Sequence, residues 1–283
     1  MSAAGVRAFL EKHGLAARRD LGQNFLVDTG VAERLVELAG VEAGQGVLEI
    51  GTGLGILTRA LHAKGARVVT VEIDAGLVRA LRADAVLPPE VELVHGDALE
   101  VDLAALVQGL ASATSGVKLV ANLPYSVSAP LLRRLLDLRG GLVDWSVMLQ
   151  RDVAQRLLAV PGTKAWGSLA LLHRLCVDLQ RGMDLSPRCF FPVPKVRSTF
   201  VRMQPRDAAS PDGPALLRIE RVARAAFAQR RKTLANALRS GGFERADAAI
   251  AAVGLAPDVR AEALPPEAFL ALAAALHGSG EPG

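Results

Sequence analysis

Aromatic side chains make up only 4% of the 283 residues, and Tyr125 is the only tyrosine. Cysteine is scarcer still. Cys176 and Cys189 form no C-x-x-C pair, so neither a disulfide framework nor a thiolate zinc site is supported. His13, His62, His95, His173 and His277 are scattered singly, which speaks against a histidine metal cluster. No stretch reaches the roughly 18 uncharged apolar residues of a membrane span. The start, MSAAGVRAFLEKHG, lacks the basic segment and apolar run of a secretory leader. The expectation is a cytoplasmic protein without a membrane partner. Nor is there a heptad or apolar stripe that demands a second copy, so a monomer is expected.

What is present is a globular composition, 51% hydrophobic and 22% charged, which excludes collagen-like, coiled-coil and wholly disordered chains. The net charge of +4 is too small to name a polyanionic partner. Its distribution says more. Arg218 to Arg239 carries Arg218, Arg221, Arg224, Arg230, Arg231, Lys232 and Arg239 against Glu220 alone. Arg174 to Arg206 carries seven basic residues against Asp178 and Asp184, whereas Glu72 to Asp102 carries eight acids against Arg79 and Arg82. Two basic segments and one acidic segment therefore share the chain, and the basic ones fit a nucleic acid if the chemistry upstream calls for one.

From about residue 45 to 150, short β-rich runs alternate with helical ones: GVLEI, ILTRALHAKG, RVVTVEI, AGLVRALRAD, VELVHG, KLVAN, APLLRRLLDL and LVDWSVMLQ. That rhythm predicts an α/β domain with a mostly parallel sheet. RSTFVRM reads as a strand closing it. The domain is expected to span 1–204, followed by a Pro/Gly/Asp-rich linker over 205–215 and a small helical domain over 216–283, whose tail GSGEPG is expected to be disordered.

In parallel sheets ligands sit beyond the carboxyl ends of the strands. After GVLEI come Gly51, Gly53 and Gly55, which permit a tight turn and close backbone approach to a ligand. Glu72 ends the next strand, where a carboxylate can accept both ribose hydroxyls. Asp97 and Ala98 follow the third, where a carboxylate can receive an adenine amino group. A nicotinamide-dependent oxidoreductase shares the first two features, and the fourth strand end decides against it. KLVANLPYS places Asn122, Leu123, Pro124 and Tyr125 there. Adenine's exocyclic nitrogen is a poor nucleophile because its lone pair is delocalised into the ring. Acceptors aimed at its hydrogens, the Asn122 side-chain oxygen and the Leu123 carbonyl, favour the tetrahedral nitrogen that can attack a methyl group, and Tyr125 can stack on the base.

These strings, with LGQNFLVD (Leu21 to Asp28), GDALEVD, MLQRDVAQRLLA, FFPVPKVRST and FAQRRKTLANAL, resemble the small-subunit rRNA adenine dimethyltransferases over nearly the whole chain. The resemblance implies a Rossmann-like class I methyltransferase sheet with a C-terminal helical RNA-binding domain. It implies S-adenosylmethionine as methyl donor, covered by Gln23, Asn24 and Leu26. Gly51, Gly53 and Gly55 would line its methionine end, Glu72 would hold the ribose, Asp97 and Ala98 would meet its adenine, and Asn122 would touch cofactor and target. It also implies Phe190 facing Tyr125 across the target base, with neither metal nor covalent enzyme intermediate. The substrate so implied is two adjacent adenosines in the 3′-terminal hairpin of small-subunit rRNA, within the assembling subunit, each methylated twice. Large-subunit rRNA, or a role as assembly factor with secondary catalysis, are the alternatives. The family usually has proline where this chain has Thr52, which predicts a less rigid glycine turn.

Overall fold

The computed structural model describes residues 2–206 and 210–277, so the tail 278–283 and linker residues 207–209 lie outside the described residues. Two compact units emerge: Met1–Ala154 with Gln180–Pro205, and Gln155–Leu179 with Arg206–Gly283.

In the first unit the chain forms α1 (Ala3–Lys12), β1 (Phe25–Leu26), α2 (Thr29–Leu38), β2 (Gly46–Ile50), α3 (Ile56–Ala63), β3 (Arg67–Glu72) and α4 (Ala75–Ala83). It continues through β4 (Glu92–His95), α5 (Leu103–Ala111), β5 (Val117–Asn122), α6 (Ser128–Asp137) and β6 (Asp144–Gln150). Next come α7 (Arg151–Leu157) and, in the second unit, α8 (Ser168–Cys176), then β7 (Val177–Leu185), β8 (Phe190–Phe191) and β9 (Ser198–Pro205). The main sheet has the order β4-β3-β2-β5-β6-β9-β7. β2, β3, β4, β5 and β6 pair in parallel, with Leu48 opposite Val69 on one side and Leu119 on the other. β9 returns antiparallel to β6. The strands are parallel because each apolar run is followed by a helix long enough to carry the chain back over the sheet.

Local sequence sets where those helices start. Asp28, Asp74 and Asp102 accept backbone N–H groups at the first turns of α2, α4 and α5, while Gly55 begins α3 in a left-handed conformation at φ 70°. The core between sheet and helices holds Leu35, Val36, Leu61, Val68 and Met148, all nearly inaccessible to solvent. β2 lies between β3 and β5, so the chain leaves it in opposite directions on its two sides and opens a crevice at its carboxyl end.

The second unit is helical, with α9 (Gly213–Ala228), α10 (Leu234–Ser240), α11 (Ala246–Ala252) and α12 (Pro266–His277) joined by α8. Leu216, Ile219, Val222, Ala223 and Ala226 repeat at helical spacing along α9 and are buried. Trp166, Phe227 and Phe269 form the aromatic centre, with ring centroids 6.4 and 5.4 Å apart along the chain of contacts. This differs from the expected boundary at residue 204. The apolar face of α8, with Ala170, Leu171, Leu172 and Cys176 buried, is covered by the C-terminal helices, so residues 155–179 belong to their core. The linker is also shorter than expected, because α9 starts at Gly213 with Asp212 as its cap. Among the described residues, no helix is long and apolar enough to cross a membrane.

Candidate active site

The crevice holds a cavity of about 310 Å³, lined among others by Gln23, Asn24, Leu26, Gly51, Gly53, Glu72, Asp97, Ala98 and Asn122 to Tyr125. Its floor is the turn after β2. Gly51 and Gly53 both take positive φ, 84° and 55°, and a methyl group on Gly53 would stand 3.2 Å from the Phe25 ring. Glycine is thus required for conformation and for clearance. Glu72 closes β3 with one carboxylate oxygen accepting the Gly53 N–H at 2.8 Å and the other accepting the Asp74 N–H at 3.0 Å. Burial pushes its pKa up, opposed by those two N–H groups. Each oxygen keeps a lone pair for a further donor. Asp97 is half-buried, and its Oδ1 accepts the Leu99 N–H at 2.8 Å.

Two hydroxyl contacts brace the turn from behind. Thr52 and Thr70 share a buried hydrogen bond of 2.8 Å, which ties the turn to β3. The turn therefore has a polar anchor where the family usually has a proline, and the expected loosening is offset. Thr58 donates to Glu49 Oε2 at 2.6 Å. Glu49 is fully buried and lines the same cavity, and its Oε1 has no hydrogen-bond partner of standard geometry among the described residues. Desolvation pushes its carboxyl up to about 8, with the Thr58 and Thr70 hydroxyls pulling the other way.

At the end of β5 the chain turns through Leu123 and Pro124 into a short 3-10 turn at Tyr125. Leu123 is buried and lines the cavity. Tyr125 OH meets Ser198 Oγ on β9 at 2.7 Å, which fixes the ring at its far end. Asn122 Nδ2 donates to the Asn24 carbonyl at 3.1 Å. Asn24 belongs to an N-terminal strap whose β1 pairs antiparallel with β8, Phe25 opposite Phe191 and Leu26 opposite Phe190.

The structure thus gathers all but two of the expected site residues around one cavity. Gly55 does not line it: a methyl group there would overlap the Leu87 side chain, so this glycine serves helix entry and packing. Phe190 does not line it either. Pairing with Leu26 turns its ring into the core, where it is 1% exposed, so the expected sandwich with Tyr125 is not formed in this conformation. Glu49, Asp74 and Ser198 were missed. A lone carboxylate inside the otherwise apolar GVLEI was the available signal for Glu49; Asp74 and Ser198 carry none beyond their places after a strand and in one. Among the described residues, no group of three or more His, Cys, Asp or Glu is placed to hold a metal ion.

A family model described as ribosomal RNA adenine dimethylase matches residues 14–277. The chain belongs to the ribosomal RNA adenine dimethylase family. It is accordingly an S-adenosylmethionine-dependent methyltransferase acting on adenine in rRNA, with the class I methyltransferase fold. It is 45% identical over 239 residues to the ribosomal RNA small subunit methyltransferase A of Magnetococcus marinus, a match covering 83% of each chain. A dimethyladenosine transferase structure from Plasmodium falciparum superposes with a TM-score of 0.69 at 22% identity, covering 88% of this chain and 95% of that one. The 23S rRNA methyltransferase ErmE superposes with a TM-score of 0.62 at 25% identity, covering 89% and 99%.

The structure sorts the members of the two basic segments. Of the segment from Arg174 to Arg206, Arg181 and Arg206 pair with Asp184 and Asp178, Arg202 reaches the buried Asp144, and Arg174 donates to the carbonyls of Leu158 and Ala159. Only Arg188, Lys195 and Arg197 of that segment are exposed without such a bond among the described residues. In the second unit Arg224 and Arg239 pair with Glu220 and Asp247, while Arg218, Arg221, Arg230, Arg231 and Lys232 are exposed on α9 and the turn after it.

Proposed function

We propose that this chain dimethylates the exocyclic amines of two adjacent adenosines in the 3′-terminal hairpin of small-subunit rRNA, in the cytoplasm and as a monomer, during assembly of the small subunit. The observation that carries this reading is the orientation of Asn122. With Nδ2 engaged by the Asn24 carbonyl, its Oδ1 remains as acceptor for an amine hydrogen. The Leu123 carbonyl is the second acceptor. Together they hold the nitrogen in the geometry of attack, and Tyr125, steadied by Ser198, stacks on the base.

The cavity's volume and donor set fit S-adenosylmethionine. Gly51 and Gly53 bring backbone close to its methionine end, Glu72 accepts from the ribose, and Asp97 with Ala98 meets the adenine. Gln23, Asn24 and Leu26 of the strap cover it. When bound, the cofactor supplies a methyl group on a sulfonium, a good leaving group, so the protein needs no dedicated base. Its own contribution is orientation and exclusion of water, the first worth up to roughly 7–11 kcal/mol. A stacked base cannot enter, so the target must be unpaired or flipped. Arg230, Arg231 and Lys232 hold phosphates away from the reacting base.

The identity to a small-subunit enzyme favours that RNA over the large-subunit substrate named for ErmE. Purified protein incubated with unmodified small and large subunits and labelled cofactor is expected to label the small subunit alone. Label in the large subunit would contradict the assignment.

A further inference from the structure

The Gln23 carboxamide is spent at both ends within the protein. Its Oε1 accepts the Arg18 N–H at 2.8 Å and its Nε2 donates to Asp74 Oδ2 at 2.8 Å. Asp74 is 7% exposed and equally committed: Oδ1 caps α4 through the N–H groups of Gly76 and Leu77, and its own N–H donates to Glu72. From the carboxylate at the end of β3, bonds therefore run through Asp74 and Gln23 to the next residue of the strap, Asn24, whose carbonyl holds Asn122. The strap also lies tightly against the Tyr125 loop, because a methyl group on Gly22 would stand 3.0 Å from Ser126 Oγ and 3.2 Å from the Tyr125 nitrogen.

A carboxamide has two orientations of nearly equal shape and opposite polarity. The Asn24 carbonyl selects one of them for Asn122, since the flipped form would set oxygen against oxygen on the strap and present N–H groups to an amine. We propose that Gln23 is a positioning residue for methyl acceptance: its tether to Asp74 registers the strap so that the Asn24 carbonyl keeps Asn122 Oδ1 turned toward the target. This rests on the amine-acceptor reading of Asn122, and it gives Gln23 a task distinct from covering the cofactor. It also links the ends of β3 and β5, so that enclosing the cofactor and preparing the acceptor become one event.

A compensating pair of substitutions tests this. Gln23→Glu sets a carboxylate against Asp74, and Asp74→Asn presents an amide donor to the donor end of Gln23. Together they restore a complementary pair, because a glutamate at 23 can accept from both Arg18 N–H and the new amide. In single-turnover transfer to unmodified small subunits at saturating cofactor, each single variant is expected to lose about tenfold in rate, and the double variant to recover to within about threefold of wild type. Cofactor affinity, by calorimetry, fixes the concentration at which each variant is saturated, and subunit affinity, by filter binding, should change little. Gln23→Ala, which removes the tether without adding charge, should match Gln23→Glu, and thermal unfolding of every variant checks that it is folded. A single variant at wild-type rate, a double variant no better than Gln23→Glu, or a loss abolished by raising the cofactor concentration would each overturn the proposal. Asn122→Ala run beside them keeps the two readings apart: if it transfers methyl normally, the amine-acceptor reading fails first.

Discussion

Single side chains behind the cavity set measurable quantities. Thr52→Val removes one of two partners of the fully buried Thr70 hydroxyl, the other being Glu49, and is expected to cost about 1 kcal/mol in denaturant unfolding. No loss would mean that the hydroxyl pair does not brace the turn. Glu49 governs a pH effect. Its carboxyl, ordinarily near 4.5, stands at about 8 in the folded protein, so its stabilisation is complete below about pH 4.5 and is lost as the pH rises through about 8. Glu72 is shifted in the same direction. The urea midpoint of the cofactor-free protein should fall as the pH is raised through that window, and Glu49→Gln should flatten the fall, Glu72 contributing in the same direction. An unchanged slope in that variant would dismiss Glu49 as its source. Glu49's importance was not legible in the sequence, since burial of a carboxylate is a tertiary fact, whereas Glu72 stood at a strand end and Tyr125 stood out as the only tyrosine, inside N-L-P-Y.

At the scale of elements, strand ends were legible because alternating β and α runs in a parallel sheet bring every carboxyl end to one edge. Gly51, Glu72, Asp97 and Asn122 follow from that rule alone. Pairing of short segments distant in sequence was not. β1 and β8 have two residues each, too few for periodicity, and their register decides that Phe190 faces the core. At the opposite end of the sheet Lys118 on β5 and Asp144 on β6 pair at 2.7 Å, both almost fully buried, with Arg202 of β9 on the same carboxylate. Lys118→Met should therefore cost about 3 kcal/mol, the lower end for breaking a buried pair, because Arg202 still faces Asp144. A variant as stable as wild type would show that Arg202 alone suffices.

For the whole molecule, a net charge of +4 conceals a division of labour. Many of the charges between Arg174 and Arg206 are spent on partners within the protein, and the exposed surplus lies along α9 and the turn after it. The unit boundary was hidden from the sequence because α8 has an ordinary apolar face that says nothing about which core it joins. Reversing the charge of Arg230, Arg231 and Lys232 should weaken subunit binding, lower the salt dependence by roughly 2–3 in log–log slope, and leave cofactor affinity unchanged. Equal binding across the salt titration would remove these residues from the RNA contact.

If the end of β5 performs the transfer, Asn122→Ala abolishes it while leaving the subunit bound. Subunit binding and incorporation of labelled methyl into adenosine are measured together on unmodified small subunits. Binding near the wild-type level with no incorporated methyl is the predicted result; methyl transfer at the wild-type rate would contradict it.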